Sequence, residues 1–148
     1  MTRSGSWSTS ERLRLMHLRL DPGVHRLRSR ASTVEVTARL VRVGWSVAVV
    51  DLSAAPDKEG MLTAFAIGLR FPDWVGRNWD ALEDALRDLS WWAPGERGRA
   101  IVVVGAGRLR VDLDGEWATL CDVLAEASEH WRTTATPLGV LVRGRALG

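Results

Sequence analysis

The sequence predicts an α/β domain in which a small, mostly parallel sheet of three or four strands is packed with helices. Short apolar runs rich in β-branched residues recur along the chain, as in WSVAVVDL and AIVVV. Such runs are typical of strands that are buried on both faces. Segments with helical periodicity separate these runs. Strands that alternate with helices favour parallel pairing through helical crossovers.

The elements follow in chain order from local signals. The predicted strands are residues 24–28, 45–52, 100–104 and 137–142, and the first of them is the weakest. Ser32 and Thr33 can cap a helix that ends at Gly44, and Val34, Ala38 and Val41 share an apolar face of it. Further helices are predicted over 57–69, after Asn78, and over 115–131.

The size of the chain fits one domain, and its charge is unevenly divided. We expect residues 1–20 to form a mobile basic N-terminal arm and residues 21–148 to form a single domain. Residues 1–44 contain nine arginines and three acids, a net charge of +6, whereas residues 45–148 carry −4. The part with the strongest motif is therefore acidic, although the whole chain is at +2.

Composition also bears on the compartment. A single cysteine excludes an internal disulfide and favours a reducing compartment. No apolar run approaches the roughly 20 residues that span a bilayer, and arginines interrupt the nearest candidate for a secretory signal. We expect a cytoplasmic protein that makes no membrane contact.

The most informative stretch is residues 71–92, FPDWVGRNWDALEDALRDLSWW. A loop with Pro and Gly leads to the only asparagine of the chain, Asn78, and then to a helix with two unlike faces. One face has apolar residues at helical spacing, which must be buried: Trp79, Leu82, Leu86 and Leu89. The loop and the opposite face carry five acids (Asp73, Asp80, Glu83, Asp84 and Asp88) and two bases (Arg77 and Arg87). Trp74 and Trp91 lie at the margins of this acidic patch.

Two interpretations of this stretch remain open. Asn78 is a favoured N-cap, Gly76 permits a positive φ or a close approach, and a charged outer face is common on helices. However, Asp80, Glu83 and Asp84 lie within one turn, where like charges repel by a few tenths of a kcal/mol per pair. A partner that supplies cationic groups would turn this repulsion into charge-assisted hydrogen bonds.

The same residues resemble the barstar family, whose members are intracellular inhibitors of secreted or toxic ribonucleases. The resemblance rests on a long gapless motif formed by Pro72, Asp73, Trp74, Gly76, Asn78, Trp79, Asp80, Ala81, Leu82 and Asp84. The order of elements over residues 45–143 is similar to the whole barstar fold, and residues 1–44 extend past the minimal family core.

The resemblance implies that this helix and its loop plug the active site of a ribonuclease or a related basic toxin. Asp84 would occupy the phosphate-binding centre of the enzyme, Asp80 would bond groups at its rim, and Trp74 would stack against it. Gly76 and Asn78 would fix the shape of the loop. The remaining residues expected at this partner-binding surface are Arg77, Glu83 and Arg87.

Three positions depart from the family pattern. Glu83 stands where the best-known pattern has Trp, Arg77 stands where an acid can occur, and Val75 replaces a second loop aromatic. A further family acid on the last helix would correspond to Glu126 or Glu129, and the sequence does not decide between them.

Other kinds of function find less support. The Gly105-Ala106-Gly107 segment has Arg110 where a dinucleotide fingerprint needs its third glycine. His17, His25, His130 and Cys121 lack ligand spacing, so we predict no metal site. No nucleophile, base and orienting group can be nominated, so we predict neither catalysis nor a cofactor. The alternative function is nucleic-acid binding or another protein interaction through the Arg-rich residues 1–44.

Overall fold

The central feature of the fold is a four-stranded, all-parallel sheet. The computed structural model describes residue 20 and residues 23–144, so all of the predicted mobile arm except Leu20 lies outside the described residues. The strands are β1 (Gly23–Leu27), β2 (Trp45–Asp51), β3 (Gly98–Val104) and β4 (Leu138–Arg143). They are arranged in the order β1-β4-β3-β2, with Val24 beside Val140 and Ile101 beside Val140 in the register. The predicted α/β class is confirmed, with the four-stranded form of the sheet.

Five helices are found in the described part of the chain. They are α1 (Thr33–Arg42), α2 (Lys58–Gly68), α3 (Trp79–Asp88), α4 (Gly107–Asp112) and α5 (Asp114–Trp131). Four of them correspond to predicted helices: α2 and α5 agree with the predicted bounds to within one residue, α1 ends two residues before Gly44, and α3 begins after Asn78 as predicted. The short α4 was not predicted. Proteins of this kind bury the sheet between helical layers, and here α1 covers one face while the other helices cover the opposite face.

The cap predicted for α1 is confirmed, but the predicted apolar face is wrong. The Ser32 hydroxyl accepts a hydrogen bond from the Glu35 amide, and the Glu35 carboxylate accepts one from the Ser32 amide. Val34 and Val41 are exposed, at 78% and 55%, and the buried residues are Val36 and Leu40. The helix has two apolar rows, one with Val34 and Val41 and one with Val36 and Leu40. The second row, which contains the larger leucine, packs against the sheet.

Each face of the sheet has its own core. On one face, β-strand residues such as Ile101 and Val140 pack with Phe65, Leu86 and Leu124 from the helices. On the other face, Ala100 and Leu141 pack with Val36 and Leu40 of α1, together with Trp45 and Leu20. Because alternate residues of β3 point to opposite faces, its run of apolar residues serves both cores.

The first strand is tied to the rest of the fold by a buried serine. The Ser128 hydroxyl, fully buried on α5, accepts a hydrogen bond from the Gly23 amide of β1 and donates one to the Leu138 carbonyl of β4. A hydroxyl suits this position because one small group can donate and accept a hydrogen bond at the same time. Residues 23–44, which precede the segment that resembles the family, are therefore an integral part of this fold.

We expect Ser128→Ala to lower the free energy of unfolding by about 1–3 kcal/mol, because two buried backbone groups lose their partner. Thr119→Ala on the same helix is the matched control: its hydroxyl bonds only the Gly115 carbonyl one turn earlier, so the change should stay within about 0.5 kcal/mol. Urea denaturation measures both variants. Equal values for Ser128→Ala and the wild-type protein would show that β1 does not depend on this contact.

Candidate functional site

The start of α3 is defined by its cap and by a tight loop before it. The Asn78 side-chain oxygen accepts a hydrogen bond of 2.8 Å from the Ala81 amide, so the predicted N-cap is confirmed. Within the loop, the Val75 amide donates to the Pro72 carbonyl at 3.1 Å, and the Val75 side chain is buried. The aliphatic residue at this position thus anchors the loop to the body of the protein.

The apolar face of α3 packs as the spacing predicts. Leu82, Leu86 and Leu89 are at most 1% exposed, and Trp79 packs against the same core while partly exposed. Leu89 ends the helix in the left-handed conformation with φ of 50°, which is costly for a residue with a side chain. Its complete burial holds it there, so both ends of α3 are fixed.

The charged face of α3 presents carboxylates that have no partner in the described part of the chain. Asp80, Asp84 and Asp88 are exposed and form no ion pair or side-chain hydrogen bond with any described residue. Asp80 and Asp84 are separated by one turn and lie on the same side of the helix. This is the arrangement that a cationic partner requires, because the two carboxylates remain available.

The two arginines predicted for this surface contact groups other than Asp80 and Asp84. Arg87 forms an ion pair with Glu83 across 3.7 Å, one turn apart on the helix surface. Arg77 donates a hydrogen bond of 3.3 Å to the Val75 carbonyl in its own loop. Exposed ion pairs of this kind are worth less than about 1 kcal/mol, so Glu83 and Arg87 can exchange partners easily. Neither arginine neutralises Asp80 or Asp84.

An exposed aromatic residue borders the carboxylates. Trp74 is 68% exposed. Its ring packs roughly perpendicular to that of Trp91, with the ring centroids 6.2 Å apart. Trp91 packs in the same perpendicular manner against Phe71, with the ring centroids 5.7 Å apart. Its indole nitrogen donates a hydrogen bond to the Leu69 carbonyl. The fixed ring of Trp91 therefore helps to hold the exposed ring of Trp74 in place.

Gly76 does not adopt the positive φ that was one of the two reasons expected for a glycine at this position. Its φ is not in the positive region, and a Cβ added there would lie 3.4 Å from Asn78 Nδ2 and 3.6 Å from the Ala81 Cβ. These are ordinary van der Waals distances, so the fold itself does not require a glycine at this position. Because Gly76 is exposed and has no side chain, its backbone is accessible at the surface of the loop.

The arginine that positions α3 was not found by sequence reasoning. Arg99 on β3 is 7% exposed, and its Nε donates to the Trp92 carbonyl at 2.7 Å while Nη2 donates to the Leu89 carbonyl at 3.3 Å. The guanidinium lies 5.9 Å from the Trp92 ring and 5.1 Å from the Trp131 ring. Burial lowers the pKa of Arg99 below its usual value. Arg99 directly precedes the predicted strand 100–104 and lies two residues after Arg97, so no local sequence signal marked it as the buried one.

A second tryptophan contact strengthens this arrangement. The indole nitrogen of Trp131, at the end of α5, donates a hydrogen bond of 2.7 Å to the Leu86 carbonyl. Carbonyls in the last turn of a helix have no partner within the helix. Trp131 and Arg99 together satisfy carbonyls at the C-terminal end of α3, and the positive charge of Arg99 complements the helix dipole there.

The remaining candidates form no site with these residues. Glu126 is exposed, Glu129 pairs with Arg132 at 3.3 Å, and the structure does not distinguish between them as the further acid. Cys121 is half-buried, and burial together with Asp122 raises the pKa of its thiol.

The described residues contain neither a cluster of metal-ligating residues nor a helix suited to span a bilayer. Residue 20 and residues 23–144 contain no group of three His, Cys, Asp or Glu placed to hold a metal ion. Within the same residues, no helix combines the length and the apolar character needed to cross a bilayer. The arginines of residues 1–19, on which much of the nucleic-acid alternative depends, lie outside the described part.

Comparison with known proteins identifies the family. A search of curated proteins returns no match. The family model described as Barstar (barnase inhibitor) matches residues 45–143, which span β2 to β4 and include α3 with its loop. Because this match covers well over half of the 148 residues, the protein belongs to the barstar family.

Proposed function

We propose that this protein inhibits a ribonuclease, or a related basic toxin, by inserting α3 and the loop before it into the positively charged active site. The observation that carries the proposal is the pair of exposed carboxylates, Asp80 and Asp84, which have no partner among the described residues. An enzyme that binds the RNA backbone must concentrate positive charge in its active site. A carboxylate can replace a phosphate there.

The family gives each residue a role. Asp84 would take the place of the RNA phosphate, and Asp80, one turn earlier, would bond basic and backbone groups at the rim. Trp74 would stack on the enzyme surface beside them. The Glu83–Arg87 pair lies next to Asp84 on the helix surface and is weak enough to rearrange when a partner binds.

The rigidity of this surface favours tight binding. Association loses less free energy when the interacting groups are already ordered. The cap at Asn78, the buried leucines and the contacts of Arg99 fix α3 before any partner arrives. The short aspartate side chains also lose little side-chain entropy on binding compared with lysine or glutamate.

We expect Asp84→Ala to weaken inhibition by roughly two to four orders of magnitude, because breaking a buried charge pair costs about 3–5 kcal/mol. The assay is RNA cleavage by a panel of guanyl-specific ribonucleases titrated with the protein. Asp122→Ala, an exposed aspartate on α5, is the matched control and should inhibit as the wild type does. If no ribonuclease of the panel is bound or inhibited, the proposal fails.

Gly76→Ala separates binding from folding. The added Cβ meets only ordinary contacts within the chain, so the free energy of unfolding should change by less than about 1 kcal/mol. Inhibition should nevertheless weaken if the partner packs closely against this backbone. Gly115→Ala, whose Cβ would meet nothing within 4 Å, is the control for the loss of a glycine. Undiminished inhibition by Gly76→Ala would place this glycine outside the interface.

Arg99→Lys tests the positioning of α3. Lysine keeps the charge but cannot donate to the Leu89 and Trp92 carbonyls in the geometry of the guanidinium fork. We expect a loss of about 1–3 kcal/mol in the free energy of unfolding, and weaker inhibition under conditions where the variant remains folded. Arg97→Lys, two positions earlier and exposed, should change neither quantity. An Arg99→Lys variant as stable as the wild type would refute the role given to this arginine.

A further inference from the structure

A cavity at the carboxyl-terminal edge of the sheet has a chemistry opposite to that of α3. Its volume is about 920 Å³, within the range of small-molecule sites. The loop after β1 lines one side with Arg28 and Arg30, β4 contributes Arg143, and the segment after β3 contributes Gly105. Among the described residues no Asp or Glu lines it, and none of its lining residues belongs to α3 or the loop before it.

The place of this cavity in the fold favours binding. The carboxyl ends of parallel strands form a crevice where the connections from neighbouring strands leave on opposite faces of the sheet. Here β1 leads to α1 on one face, β3 leads to α4 and α5 on the other, and β4 ends between them. The crevice is therefore a consequence of the strand order, and residues 23–44 form one wall of it.

Arg143 is a partly buried cation that forms no ion pair with any carboxylate of the described residues. Its Nη1 donates to the Thr33 hydroxyl at 3.1 Å, and its Nη2 donates to the Ser29 and Ala31 carbonyls at 2.9 and 2.6 Å. Its Nε is buried without a hydrogen-bond partner, and no described carboxylate lies within 4.0 Å of the guanidinium. Burial lowers the pKa of Arg143, and the charge of Glu35 acts in the opposite direction.

A partly buried charge that contacts only neutral oxygens gains stability when an anion joins its surroundings. The contacts of Arg143 also organise the loop that carries Arg28, so the two arginines are held at one cavity. The Ser32–Glu35 capping box already occupies the N-terminal turn of α1, so the positive charge offered to an anion comes from the arginines of the cavity. The Nη groups of Arg143 already bond the loop and Thr33, so the fork that can match phosphate oxygens is that of Arg28.

We propose that this cavity binds the phosphate group of a small phosphorylated molecule, with Arg28 as its exposed contact and Arg143 as the buried charge that the phosphate compensates. The cavity is larger than inorganic phosphate needs, which leaves room for the group that carries the phosphate. This site is independent of the proposed inhibition, because it shares no residue with α3 or its loop.

Calorimetric titration of the full chain with inorganic phosphate, pyrophosphate and adenosine monophosphate, at constant ionic strength, tests the proposal. We expect saturable binding that Arg28→Ala weakens about ten- to a hundredfold, the loss expected for a charged hydrogen bond. Arg42→Ala, which removes an exposed arginine at the opposite end of α1, should weaken it less than about twofold. Arg28→Ala should still inhibit a ribonuclease as the wild type does, so the two proposals can fail separately.

The outcomes are distinct. Saturable binding that depends on Arg28 supports the site, and tighter binding of adenosine monophosphate than of phosphate would show that the carrier group is also contacted. Absence of saturation with all three compounds, or equal binding by Arg28→Ala and Arg42→Ala, overturns the proposal. Arg143→Lys provides a second check, because it keeps the charge but loses the hydrogen bonds that hold the loop carrying Arg28, and unchanged affinity in this variant would also count against the site.

Discussion

The position of α3 depends on the buried guanidinium of Arg99. Removing a cation from water is costly, and this cost is recovered only when the charge is well surrounded. Arg99 contacts two carbonyls and two tryptophan rings, so neutral groups with favourable dipoles and π-faces replace much of its hydration, although its Nη1 has no hydrogen-bond partner. Because the same carbonyls follow the end of α3, the interaction that stabilises the cation also fixes the helix to β3. This attachment helps to determine which way the acidic face of α3 points.

This arrangement explains how α3 tolerates its unfavourable charges. Asp80 lies in the first turn, where the helix dipole favours an acid, but Asp84 and Asp88 lie toward the opposite end, where it does not. The positive charge of Arg99 at that end offsets part of the repulsion. The buried leucines and the Asn78 cap supply the rest of the stability. The helix can therefore present exposed carboxylates without depending on a partner to fold.

The sequence was sufficient for features that depend on neighbouring residues and insufficient for those that depend on distant ones. The strand runs, the Asn78 cap and the stripe from Leu82 to Leu89 are local, and the structure confirms them. The choice between Val34 and Val36 on α1 is made by the sheet surface, which the helix sequence does not contain. Arg99 needs Trp131, and Arg143 needs Ser29, across separations of 32 and 114 residues. The charged residues of α3 were predictable, but the contacts that hold the helix were not.

The strand order also keeps the two opposite charges of the chain apart. Residues 23–44 contribute five of the arginines, and α1 lies on the face of the sheet opposite to α3. The sheet therefore lies between the two sets of charges, and exposed charges farther apart than the Debye length of roughly 8 Å interact little at physiological ionic strength. The arginines of α1 therefore do not neutralise Asp80 and Asp84, and those of the loop before α1 are gathered at the carboxyl edge of the sheet. A chain with a net charge of only +2 can thus carry an acidic surface and a basic cavity at the same time.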